Sequence, residues 1–149
     1  MSQEISDEKI RLRSSPGYTA FYGGAAGRAH NEAGFRHFLR IELQRAGRSG
    51  HGVLLVLVGV RDHNGRSVRL PSLVASNVFS ALGSSVREID FVGWLKEGRI
   101  AAAALVQRAT PTAEVRQYIA GRMMKTLNRQ RGTADGTIRV RVVLLRGRR

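Results

Sequence analysis

Cysteine is absent from this 149-residue chain, which excludes disulfides, thiolate chemistry and cysteine-ligated zinc. Lysine is scarce, at Lys9, Lys96 and Lys125 alone. Acidic residues number 11 against 25 basic ones, leaving a formal net charge of +14. Long apolar runs are missing too: a stretch such as 53–58 is far too short to span a bilayer. The N-terminus opens with Glu4, Asp7 and Glu8 and lacks the basic and apolar stretches of a signal peptide, so a cytoplasmic location is expected.

What the chain does have is a globular balance, 42% hydrophobic and 24% charged, in a length that suits one domain with a real core. Its positive charge is almost entirely arginine. Such a surface attracts nucleotides, nucleic acid, anionic membranes or acidic proteins without choosing between them. A guanidinium fork can grip a phosphate or a guanine edge with two bonds. A genome rich in G and C also inflates arginine counts, so the bias alone assigns nothing.

Residues 1–28 read as a flexible extension. Their charged start gives way to Gly23-Gly24-Ala25-Ala26-Gly27, a run that resists regular structure. Tyr18, Phe21 and Tyr22, just before that run, are expected to dock on the domain body. From 29 to 46 the spacing of Phe35, Phe38, Leu39, Leu43 and Ala46 predicts an amphipathic helix, stopped by Gly47 and Gly50. Residues 52–60 form a continuous valine and leucine run, the mark of a strand buried on both faces. A polar turn at 61–65 follows.

Pro71 opens a second helix through Leu73, Val74, Val78, Phe79 and Leu82, ending at Gly83. Two short apolar runs, 89–95 and 100–106, flank Lys96-Glu97-Gly98-Arg99 and predict a β-hairpin. Thr112 can cap a third helix with Val115, Ile119, Met123 and Leu127 on one face. A last strand is expected over 137–145. The order after the first helix is β-α-β-β-α-β, an α+β, ferredoxin-like pattern: a central antiparallel sheet with helices covering one face.

The hairpin and its run-in, from Arg87-Glu88-Ile89-Asp90 to Lys96-Glu97-Gly98-Arg99-Ile100, resemble the GGDEF family of nucleotide-cyclase-like domains. In that family an RxxD motif precedes the signature GG(D/E)EF by five residues. The resemblance covers about residues 29–147 and implies a degenerate domain. The family's third and fourth signature positions carry acids for metal and for chemistry at the 3′-hydroxyl, and here they are Gly98 and Arg99. The further metal-binding acid expected at the end of the first strand is replaced by Val58, Gly59 and Val60. Asp62 lies in the following turn, and Glu97 is one register off. Two-metal phosphoryl transfer needs hard oxygen ligands, so the chain is expected not to be a cyclase, with no cofactor and no metal.

Arg87 and Asp90 match the family's inhibitory site for cyclic di-GMP in spacing and register. The resemblance implies that Arg87 holds guanine or phosphate and Asp90 the guanine Watson–Crick edge, with Arg122, or next Arg116, completing the site from the following helix. The alternative is that Arg87 and Asp90 pair with each other on a solvated turn. A protein partner, and a possible homodimer, follow from the same resemblance. The competing readings are a ligand-free dimerisation or docking scaffold and a nucleic-acid-binding protein.

Other residues point to less. His30, His37, His51 and His63 fall in no metal spacing, although His30 and His37 can share a helix face. Ser14-Ser15 and Ser84-Ser85 have no histidine placed as a base. Trp94 is expected to pack in its strand. Arg139, Arg141, Arg146, Arg148 and Arg149 form a basic stripe that reads as the outer face of the last strand or as a contact for nucleic acid or an acidic partner.

Overall fold

A computed structural model describes residues 16–21, 28–87, 89–107, 111–129 and 136–147. In chain order the elements are β1 (Tyr18–Phe21), β2 (Arg28–His30), α1 (Glu32–Ser49), β3 (Gly52–Arg61), β4 (Ser67–Val68), α2 (Ser72–Ser84), β5 (Phe91–Lys96), β6 (Ile100–Val106), α3 (Ala113–Arg129) and β7 (Thr137–Arg146).

The strands make one seven-stranded sheet. Its spine is β5-β6-β3-β7, all antiparallel, which is the ferredoxin-like order expected from the sequence. β3 lies at the centre because both of its edges can be used: its valines and leucines bury on both faces while β6 and β7 take its backbone groups. The two-residue β4 pairs with the end of β3 at Val60 and Arg61, where β7 already occupies the other edge.

Two layers of helix cover the sheet, and this corrects the expectation of a single covered face. The side-chain alternation of strands assigns the faces. Val56, Val58 and Val60 of β3, with Ala101 and Ala103 of β6, pack under Val74, Val78, Phe79 and Leu82 of α2 and Met123 and Leu127 of α3. Val53 and Leu55, with Ala102 and Ala104, face the other way onto Phe35 and Leu39 of α1. The alanines of β6 let helices approach closely from both sides. Phe79 and Trp94 meet edge to face with ring centroids 4.9 Å apart, and Trp94 is packed as expected.

Three boundaries differ from the sequence reading. Residues 28–30 form β2, so α1 starts at Glu32 behind Asn31, whose side chain accepts from Gly34 N at 2.8 Å as an N-cap. Gly50, with φ of 76°, ends α1, whereas Gly47 is buried inside it. Within the expected flexible extension, Tyr18–Phe21 pair antiparallel with β2, and β2 adds to β5 in parallel. The expected docking of the Tyr18, Phe21 and Tyr22 side chains lies outside the described residues. Thr112 caps α3 as read, its Oγ1 accepting from Val115 N at 3.2 Å. Among the described residues, no helix is long and apolar enough to cross a membrane.

Candidate functional site

Arg87 and Asp90 occupy a tight turn that feeds β5, closed by the Asp90 N–H donating to the Arg87 carbonyl at 3.0 Å. The Asp90 side chain is 1% exposed and that of Arg87 55%. Asp90 Oδ2 accepts from the Arg87 backbone N–H at 2.9 Å and from Arg87 Nε at 3.1 Å. Its Oδ1 accepts from Arg87 Nη2 at 3.1 Å and from the Val106 N–H at 3.0 Å. Those four bonds use the full acceptor capacity of a carboxylate. Arg87 Nη2 also donates to the Val106 carbonyl at 2.6 Å.

In this arrangement the buried Asp90 carboxylate is engaged by donors of its own chain and holds the Arg87 guanidinium. The paired reading of the motif is therefore the geometry present, but the pair is not a loose ion pair on a solvated turn. It clamps the start of β5 to the end of β6 and fixes the orientation of Arg87 through a bidentate contact. The Nη1 group of Arg87 has no protein partner among the described residues.

Arg87 stands at a cleft of about 270 Å³ between the end of α2 and one face of α3. Leu82, Leu105 and Met123 give the cleft an apolar floor, and Arg122 and Tyr118 border it from α3. Tyr118 is 66% exposed. Arg122 thus lines the same cleft as Arg87. Arg116 is not among the lining residues, and its Nε is buried without a hydrogen-bond partner. Tyr118 escaped the sequence reading, although its place one helical turn before Arg122 was a usable signal.

The hairpin turn at 96–99 lies at the opposite end of β5 and β6. Gly98 takes φ of 73°, the left-handed value that closes the turn, and the Arg99 N–H donates to the Lys96 carbonyl at 3.0 Å. A side chain at Gly98 would meet the Arg69 guanidinium within 3.2–3.3 Å. The Gly98 carbonyl accepts from Leu70 N at 2.8 Å, and Arg99 Nη1 donates to the Ser67 carbonyl at 3.0 Å. Glu97 Oε2 accepts from the Glu32 N–H at the start of α1 at 2.9 Å. Gly98 and Arg99 thus sit among guanidinium groups and a helix-capping contact.

His63 is exposed in the turn after β3, whereas two other histidines make ring contacts. His30 and His37 both lie against Phe38, with ring centroids 4.9 Å and 5.3 Å away. Burial, helped by the charge of Arg28, lowers the His30 pKa below its ordinary value.

No family model matches the chain, and no curated protein matches it. Among solved structures, it is similar to a chain in the crystal structure of the diguanylate cyclase SiaD in complex with its activator SiaC from Pseudomonas aeruginosa, with a TM-score of 0.52 and 18% identity. That match takes in 97% of this chain and 56% of the other, so the chain spans little more than half the length of that relative. At this identity the likeness is one of fold, and the fold is GGDEF-like.

Proposed function

We propose that the chain is a non-catalytic GGDEF-like regulatory domain that binds cyclic di-GMP in the Arg87 cleft and passes that signal to a protein partner. The observation that carries this reading is the pairing of a rigidly oriented Arg87 with Arg122 across one cleft. Arg87 takes guanine O6 and N7 or a phosphate, Arg122 a phosphate, and Tyr118 offers a face for stacking a base. Asp90 is a positioning residue that presents Arg87. Loss of catalysis is supported by Gly98 and Arg99 at the acid positions, with Arg69 over Gly98: glycine offers no ligand, and guanidinium groups repel magnesium. A protein partner is in keeping with the fold relative, which was crystallised with an activator.

Titration calorimetry with cyclic di-GMP tests the reading. Arg87→Ala and Arg122→Ala should each weaken binding by about tenfold or more, the loss of a charged hydrogen-bonding contact, and Arg116→Ala should leave it unchanged. Undiminished binding in Arg87→Ala would remove the site. The saturation of Asp90 favours a second reading, in which the pair only locks the hairpin of a ligand-free scaffold. Failure to bind any guanine nucleotide, together with a stable oligomer by light scattering, would select that one.

A further inference from the structure

β7 is an edge of the sheet. It pairs with β3, and among the described residues no strand pairs with its other side. The direction of its backbone groups follows from its neighbours. Gly52, at the start of β3, accepts from Gln107 N just past β6 at 3.3 Å, so the backbone of Gly52 faces β6. Alternation then turns the odd-numbered residues of β3 toward β7, and their antiparallel partners are the odd-numbered residues of β7. The Gly147 N–H, donating to the His51 carbonyl at 3.1 Å, keeps the same phase. Ile138, Val140, Val142, Leu144 and Arg146 therefore direct their N–H and C=O groups away from the sheet.

An unpaired edge of 10 residues invites another strand. Its side chains say which. Arg139 and Arg141 are exposed on the α1 side of the sheet, the side on which Leu145 packs, and neither makes a salt bridge among the described residues. On the opposite side Val140 and Val142 are half-buried against the core beneath α3. A strand added antiparallel sets its residues opposite Arg139 and Arg141 at non-hydrogen-bonded positions, where cross-strand side chains come closest. Those positions call for carboxylates, and the alternate ones, beside Val140 and Val142, for apolar side chains. A second copy of β7 supplies no carboxylate, and each chain carries a net charge of +14, so two copies meet with like charges. A nucleic acid supplies negative charge but no row of amide groups.

We propose that β7 is a docking edge for an extended acidic segment of a partner protein, one that alternates carboxylate and apolar residues and adds antiparallel as a further strand. Main-chain bonds to the outward groups supply affinity, and carboxylates on Arg139 and Arg141 supply selection. β6 and β3 separate this edge from β5 and the Arg87 turn, so the proposal does not rest on ligand binding in that cleft.

The probe is a synthetic peptide as long as β7, alternating glutamate and valine, titrated against the full chain by fluorescence anisotropy with no nucleotide present. N-methylated at its glutamate amides, the peptide should still bind, because in this register its valine N–H groups face β7. N-methylated at its valine amides, it should bind more weakly by about tenfold or more. R139E/R141E should weaken the unmodified peptide by about tenfold or more and favour a lysine–valine counterpart. R40E/R66E, the same change of net charge at two other exposed arginines, should do neither. V142P removes an outward N–H but no bond to β3, so affinity should fall while circular dichroism reports an intact fold. Failure of the glutamate peptide to bind, equal binding of the two methylated forms, or equal loss in R40E/R66E would overturn the proposal. So would a dimer by light scattering that V142P dissolves, which assigns the edge to a second copy, or tighter binding of oligothymidylate than of the peptide.

Discussion

Glu32 and Glu97, 65 residues apart, exchange carboxylate-to-backbone hydrogen bonds: Glu97 Oε2 accepts from the Glu32 N–H at 2.9 Å, and Glu32 Oε1 accepts from the Glu97 N–H at 2.6 Å. The exchange joins the first residue of α1 to the turn of the central hairpin. It places the Glu97 carboxylate at a helix N-terminus, where orphan N–H groups and the helix dipole favour negative charge. Arg36, whose Nε lies 3.4 Å from Glu32 Oε2, offsets part of the repulsion between the two acids. The hairpin's Glu97 therefore works as a clasp between a helix and a turn.

Glu97→Ala removes a cap from outside the helix and should cost about 1 kcal/mol, the usual worth of a capping contact. Urea denaturation measures it, and ligand affinity at the Arg87 cleft should not change. A loss below a few tenths would mean that solvent replaces the clasp without penalty.

Asp90→Ala should be more damaging than Arg87→Gln. Removing the carboxylate strands the Arg87 and Val106 backbone N–H groups and frees the guanidinium, a loss of about 2–3 kcal/mol. Arg87→Gln leaves the carboxylate its two backbone donors and, since the side chain is 55% exposed, should cost about 1 kcal/mol. Both variants should lose cyclic di-GMP affinity, although Asp90 has no acceptor left to touch the ligand. Equal stability of the two variants would contradict a positioning role for Asp90.

Much of this site was legible, and the rest was hidden for identifiable reasons. The valine and leucine run of β3 announced a strand buried on both faces, which in itself called for a second helical layer; the ferredoxin-like pattern alone drew attention to just one. The hairpin was readable from Gly98 between two apolar runs. Saturation of Asp90 was not, because its fourth donor, Val106, comes from the far end of β6 and is set by hairpin register. The choice of Arg122 over Arg116 rested on helix register alone. β2 carries three residues and no periodicity, so its pairing with β5 is a tertiary decision with no local signature.

Stability should fall with acidification through the titration of His30. Its folded pKa is lowered by burial and by Arg28, so the unfolded chain takes up a proton more readily. The contribution is complete above the ordinary histidine value of about 6.5 and declines as pH drops through the lowered folded value. His30→Gln should flatten the pH dependence of the melting temperature over that interval relative to wild type. An unaltered slope would show that other groups carry it.

Two glycines should answer the same substitution with opposite signs. Gly93 in β5 lies beside His30 of β2, and a Cβ there would approach the His30 carbonyl oxygen to 2.6 Å and its Cβ to 2.9 Å. Backbone is the obstacle, so β2 must move. Gly93→Ala should cost about 1–3 kcal/mol, as overpacking does, and should speed hydrogen exchange in β1 and β2. Gly121, exposed in α3, has open space where its Cβ would go. Gly121→Ala should add roughly 0.5–1 kcal/mol by restricting the unfolded chain and favouring the helix. Because α3 carries Tyr118 and Arg122 into the cleft, a firmer helix should leave ligand affinity intact or raise it. If Gly93→Ala were neutral, the parallel pairing of β2 with β5 would not be the close contact described; if Gly121→Ala destabilised, its side of α3 would not be facing solvent.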